Sequence, residues 1–143
     1  MPKIARSALV MFPAQAMYDL VSDVESYPDF LPWCEEASIL KKEGEWVEAA
    51  LVVTKGKIRQ AFSTRNRMTY GVSIEMELLE GPFSRLQGSW HFKPLGPEGC
   101  KVSLEMDFEV SSKLLRATLS PMFGQVMNTM VDAFSQRAEQ VYG

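Results

Sequence analysis

Residues 120–142, SPMFGQVMNTMVDAFSQRAEQVY, decide how the rest of the chain must be arranged. Ser120 is a favoured N-cap, and Pro121 at the first helical position loses nothing by lacking an N–H. At 100° per residue, Phe123, Val126, Met127, Met130, Phe134, Ala138 and Val141 fall on one side, with Arg137 inside the same arc. Gln125, Asn128, Asp132, Ser135, Gln136 and Glu139 fall on the other. At about 1.5 Å per residue this helix is roughly 33 Å long, the width of a small domain. A continuous apolar face of that length needs a sheet beneath it.

Upstream, the turn signals Glu43-Gly44-Glu45, Gly56-Lys57, Tyr70-Gly71, Gly81-Pro82 and Gly96-Pro97-Glu98-Gly99 separate six expected strands. These span residues 34–42, 46–55, 58–68, 72–79, 85–94 and 100–110, and a first strand runs from Pro2 to Phe12. Short connections make neighbours antiparallel. Alternation sorts their faces: Val72, Ile74, Met76 and Leu78 turn one way, as do Leu86, Gly88, Trp90 and Phe92, and Val102, Leu104, Met106 and Phe108. Pro13 opens a short helix with Ala16, Met17, Leu20 and Val21 at helical spacing. Residues Val24 to Trp33 hold four large apolar side chains around two prolines, and are read as a further helical turn lying across an opening. Leu114, Leu115 and Leu119 point to a preliminary turn before Pro121 resets the direction.

The expected fold class is α+β: a seven-stranded, curved antiparallel sheet wrapped around a long C-terminal helix, with two short helices after strand one. The 143 residues are read as one domain, 1–143, large enough to bury a core without disulfides. Apolar content of 46% and charged content of 23% are ordinary, and a net charge of −3 exerts no global pull on DNA or acidic lipid. Cys34 and Cys100 have no CxxC partner and are read as free thiols. Residues 1–8 lack a secretory apolar region and no segment is long enough to span a bilayer, so a cytoplasmic location is expected, with transient contact at the inner membrane face allowed.

Several motifs together carry a family resemblance. They are Tyr27-Pro28-Asp29-Phe30-Leu31-Pro32-Trp33-Cys34, then Leu79-Glu80-Gly81-Pro82-Phe83 with Leu86, Gly88, Trp90, Phe92 and Pro94, then Phe108-Glu109, and Met130-Val131-Asp132-Ala133-Phe134 followed by Arg137-Ala138 and Tyr142. In this order the chain resembles the coenzyme Q-binding protein family, whose bacterial members are also called ribosome-association toxins. The family lies in the START-like polyketide cyclase and lipid-transport superfamily. The resemblance implies a helix-grip fold with an apolar tunnel that binds ubiquinone or a similar isoprenoid lipid in support of respiration. It also implies a rival activity, binding the large ribosomal subunit and hindering subunit joining.

The candidate tunnel wall is Tyr27, Phe30, Trp33, Phe62, Met76, Trp90, Phe92, Met127, Met130 and Phe134; the alternative is that these form a tight core. Gln60, Thr64 and Asn66 share the register of Phe62, and either face a quinone head inside or meet water at the sheet edge. Arg137 is either a cation at the tunnel mouth or a snorkelling stem paired with a carboxylate. Arg59, Arg65 and Arg67 share an outer strand face that, with Lys93, offers a basic surface for ribosomal RNA or anionic lipid. A two-residue Gly56-Lys57 turn and a three-residue Thr69-Tyr70-Gly71 loop place Arg65 between Glu48 and Glu75, leaving Arg59 and Arg67 to act. His91 is read as a surface residue, and Glu35-Glu36 with Glu105, Asp107 and Glu109 as solvated strand faces. No phosphate loop, nucleophile elbow or metal-ligand spacing is present. The expectation is therefore a non-enzymatic protein without metal or cofactor, ubiquinone being a bound ligand.

Overall fold

The structure, a computed structural model, describes residues 3–143. The chain runs β1 (Lys3–Val10), α1 (Ala14–Ser22), a 3-10 turn η1 (Val24–Asp29), β2 (Cys34–Glu43), β3 (Trp46–Lys55), β4 (Ile58–Thr69), β5 (Ser73–Glu80), β6 (Phe83–Pro94), β7 (Cys100–Val110) and α2 (Arg116–Tyr142). All seven strands join one antiparallel sheet in the order β1-β7-β6-β5-β4-β3-β2. Pro2, the expected start of the first strand, lies outside the described residues. Register shifts in β2, between Ser63 and Thr64, and between Phe83 and Arg85 bend the sheet so that it curls about α2.

The alternating residues face as their pattern requires. Leu86, Trp90 and Phe92 on β6 and Val102, Leu104, Met106 and Phe108 on β7 are buried on the concave face. Val72 is an exception, 54% exposed, because it belongs to the turn rather than to β5. Two aromatic clusters close the interior. Phe62, Phe83, Phe108 and Phe123 pack edge to face at one end, with Phe83 and Phe123 centroids 4.8 Å apart. At the other, Phe134 meets Tyr27, Phe30 and Trp90 at 5.3, 5.3 and 5.4 Å.

Helix α2 starts earlier than Ser120-Pro121 predicts, and Pro121 lies inside it. Ser112 explains the start: its Oγ accepts from the Leu115 N–H at 3.3 Å and its carbonyl from the Arg116 N–H at 3.1 Å. The Arg116 side chain donates to the Val110 carbonyl at 3.0 Å, tying this turn to β7. Leu119 is 1% exposed, so the added turn is anchored in the core, offsetting the hydrogen bond that Pro121 cannot make. Leu119, Met122 and Val131 join the buried face, whereas Val141 is half exposed as the helix outruns the sheet.

Helix α1 follows Pro13 as expected, with Met17, Leu20 and Val21 buried. The η1 turn is held by the Tyr27 hydroxyl, which donates to the Val21 carbonyl, and by the Leu31 N–H, which donates to the Tyr27 carbonyl at 2.9 Å.

Candidate functional site

Between sheet and α2 lies an apolar hollow of about 70 Å³. Tyr27, Trp33, Phe62, Met76, Trp90, Met127 and Met130 line it, joined by Val24, Leu51, Met106 and Phe123, which the expected wall did not include. Three expected wall residues stand elsewhere. Phe134 is fully buried behind Tyr27 and Trp90, Phe30 lies over Phe134, and Phe92 stacks on Trp90 with its edge toward Tyr18. Phe30 and Phe134 pack on each other and Phe92 packs on Trp90 and Tyr18, which leaves all three out of the lining. The hollow has room for about two waters, far below the roughly 300–1,000 Å³ of pockets that enclose a drug-sized ligand.

Larger depressions adjoin the hollow at both ends. A vestibule of about 520 Å³ lies among α1, η1 and the β2–β3 and β4–β5 turns, and shares Val24, Tyr27, Asn66, Met76 and Trp90 with it. A groove of about 640 Å³ between α2, Pro32-Trp33 and the β3–β4 turn shares Trp33 and Val126 with the hollow. The inward face of β4 thus divides. Thr64 and Asn66 are buried and line the hollow, whereas Gln60, beside Val53, is half-buried outside it, nearer the strand's beginning.

Asn66 sits between Val47 and Met76 in the sheet, 7% exposed, and its side-chain oxygen has no hydrogen-bond partner among the described residues. Burial of an amide in mainly apolar surroundings left no marker in the sequence beyond register. Burial also raises the pKa of Tyr27, and pushes the Cys34 thiol up to about 11, so both are neutral at physiological pH. Cys34 and Cys100 are free and buried. Arg137 takes neither expected role: its guanidinium lies 4.9 Å over the Phe30 ring and reaches Gln140 at 3.4 Å, without an ion pair among the described residues.

The outer face of the sheet pairs the arginines of the expected basic surface with acids. Arg59 is held by Glu35 at 2.7 Å and Glu36 at 3.0 Å, and Arg67 by Glu45 at 3.4 Å. The first pair depends on a register shift between Cys34 and Glu36 that no turn residue announces. Arg65 stands opposite Glu48 as expected, but its other neighbour is Glu77, at 3.7 Å, rather than Glu75. The cause is local. The Val72 N–H donates to the Thr69 carbonyl at 2.9 Å, placing Gly71 third in a four-residue turn with φ of +72°, as type II geometry demands. The turn centre therefore moves one residue along the chain. His91 is exposed, its Nε2 3.0 Å from the Ser89 hydroxyl.

Across the middle of this face every base has an acid beside it: Lys3, Asp107, Gln87, Glu77, Arg65, Glu48 and Lys41 form one cross-strand row. Toward the β6–β7 turn the acids stop. The rows there are Ser7, Ser103, His91 and Ser73, then Leu9, Lys101 and Lys93. Lys93 and Lys101 oppose each other directly, and among the described residues neither has an ion pair. Leu9 is 74% exposed beside Lys101, with Met11 and Leu95 also exposed nearby; Glu98 in the turn is the nearest acid in sequence.

Comparison with known proteins agrees with this architecture. Residues 10–135 match the family model described as polyketide cyclase/dehydrase and lipid transport. The chain is 51% identical over 140 residues to the ribosome association toxin RatA of Pseudomonas aeruginosa, covering 98% of this chain and 97% of that one. It is 27% identical to a mitochondrial coenzyme Q-binding protein COQ10 homolog B of Xenopus laevis, covering 97% of this chain and 59% of that one. A crystal structure of a protein from Thermus thermophilus superposes with a TM-score of 0.86 at 20% identity, covering 99% of this chain and 100% of that one. Sheet order, gripped helix and sequence lead to one assignment: the chain belongs to the polyketide cyclase/dehydrase and lipid-transport family.

Proposed function

We propose that this protein binds the large ribosomal subunit through the outer face of its sheet and hinders subunit joining, without chemistry of its own and without a cofactor. The observation that carries this reading is the acid-free lane in which Lys93 and Lys101 stand opposed beside exposed Leu9. Elsewhere on that face the arginines are answered by glutamates, so this lane is where RNA phosphate meets uncompensated positive charge. The 51% identity to a protein named for ribosome association supports the same choice. The test is co-sedimentation with isolated large subunits across a salt series. Wild-type protein should co-sediment with an affinity that falls as salt rises, and the Lys93→Glu, Lys101→Glu double variant should stay at the top of the gradient while remaining folded. Undiminished co-sedimentation of that variant would reject the surface.

A second reading, binding of ubiquinone or a similar isoprenoid lipid, is favoured by the lining residues that the hollow shares with the vestibule and with the groove. Met76, Met106, Met127 and Met130 in the wall can repack around a flexible tail, which the closed hollow would require. Native mass spectrometry of protein purified from its host, followed by organic extraction, tests it. A stoichiometric quinone or isoprenoid supports a loaded interior. An empty protein that also fails to bind added quinone removes the reading.

A further inference from the structure

We propose that the vestibule takes the head of a cationic amphiphile, with an amine or quaternary ammonium at its rim, an ester or amide carbonyl at its neck, and the tail directed into the hollow. The inference names a head-group class for the lipid-binding reading and rests on that reading. Among the described residues, the vestibule lining carries the exposed acids Asp19, Asp23, Glu25 and Glu45 against one base, Lys42. Arg67 meets Glu45 at 3.4 Å, while the Ser26 hydroxyl donates to Asp23 at 2.6 Å and leaves its charge in place. Lys42 and Arg67 set against these carboxylates leave a net negative rim. Burial first, and then the charge of Asp19, raise the pKa of Tyr18, so the negative potential reaches into the lining.

An acidic rim alone suits any cation; the neck narrows the choice. Asn66 is 7% exposed, lines both vestibule and hollow, and its amide has no hydrogen-bond partner among the described residues. Its oxygen is covered, so its NH2 is the group that a ligand can meet. The Thr64 hydroxyl in the hollow is likewise unpartnered, whereas the Tyr27 hydroxyl already donates to the Val21 carbonyl. A carbonyl satisfies the Asn66 and Thr64 donors, and an ammonium placed there does not. The ligand is thereby oriented, with its carbonyl at the neck and its charge outward among the carboxylates. Tyr18, Tyr70 and Trp90 in the lining add aromatic surface, which attracts cations and repels anions at the ring face.

The experiment is calorimetric titration of the full chain at low ionic strength, below micelle-forming concentrations, with decanoylcholine, N-decanoylethanolamine and N-decanoylglycine. These carry cationic, neutral and anionic heads behind one acyl tail and carbonyl. Decanoylcholine should bind about tenfold tighter than N-decanoylglycine, with the neutral probe between them and the gap closing at high salt. The Asp19→Asn, Glu25→Gln double variant should narrow the gap. A Glu98→Gln, Glu105→Gln double variant, which makes the same change in net charge outside the lining, should leave it in place. Asn66→Leu should weaken all three probes by about two- to tenfold and keep their order, the equivalent of one hydrogen bond. Thermal melting checks that each variant is folded. Equal or reversed affinities in the wild-type protein, the same response to both double variants, or an Asn66→Leu protein that binds as wild type would overturn the inference and leave lipid binding standing. Failure of all three probes to bind overturns the inference and the lipid reading together.

Discussion

The Lys93–Lys101 pair makes a prediction in which stability and binding move in opposite directions. Two like charges directly opposite on antiparallel strands lie about 5 Å apart at their Cβ atoms and destabilise the pairing by roughly 0.2–1 kcal/mol, while an opposite-charge pair stabilises by a similar amount. Lys101→Glu exchanges one for the other, and the neighbours Leu9 and Ser103 add no opposing charge. The expected gain is about 1 kcal/mol, which in a chain of 143 residues raises Tm by roughly 3–5 °C. Lys101→Gln, which only removes the repulsion, should yield about half of that. Because the residues are exposed, raising salt to 1 M shortens the screening length to about 3 Å and should remove most of the gain. Differential scanning calorimetry at low and high salt measures all three, and the same protein samples go to large-subunit sedimentation, where Lys101→Glu should bind poorly. A lower Tm for Lys101→Glu at low salt, or a gain indifferent to salt, would refute the reasoning.

Three other perturbations probe the interior. Phe134 is fully buried among Tyr27, Phe30 and Trp90, so Phe134→Ala should lower unfolding free energy by about 3–5 kcal/mol in urea titration; a loss under about 1 kcal/mol would mean that the cluster repacks. Tyr27→Phe strips the Val21 carbonyl of its side-chain donor, for a loss of about 1–3 kcal/mol, and hydrogen exchange should find residues 24–29 opening more readily than β6 and β7. Equal protection of η1 and those strands would count against η1 as a turn that opens. Cys34 is held protonated up to about pH 11, whereas an unfolded thiol ionises near about 8.5. Between those values the unfolded chain has lost a proton that the folded one keeps, so stability falls as pH rises, and Cys34→Ala should flatten that decline in urea midpoints measured from about pH 8 to 10.5.

What was legible in the sequence follows from which physical signals are local. Period-two alternation in β6 and β7 fixed their faces, and the glycine-bearing turns fixed strand number and direction. The gripped helix was visible in its apolar stripe. Its start was not, because the local preference of Ser120-Pro121 is outweighed by Ser112 capping and by burial of Leu119. Gly71 announced a turn but not which turn position it holds, and one residue of difference exchanged Glu75 for Glu77 beside Arg65. Pairing of Arg59 with Glu35 and Glu36 depends on a strand irregularity without a compositional mark. The Lys93–Lys101 opposition was only half accessible, since the ladder is centred on Pro97 and not midway between Gly96 and Gly99. The depth of the hollow was not, because side-chain volumes along a sequence do not reveal how closely two layers approach.

Strand order also bears on biosynthesis. Among the described residues the first strand, β1, pairs with β7 alone, and the helix that seals the core follows all seven strands in the chain. Closing the sheet must therefore await nearly the whole chain, a long-range pairing that forms late in folding. The row of Leu9, Lys101 and Lys93 draws on both ends of that pairing, so it does not exist on a nascent chain. On the ribosome-binding reading, a ribosome that has not yet made β7 carries this surface only in unassembled form.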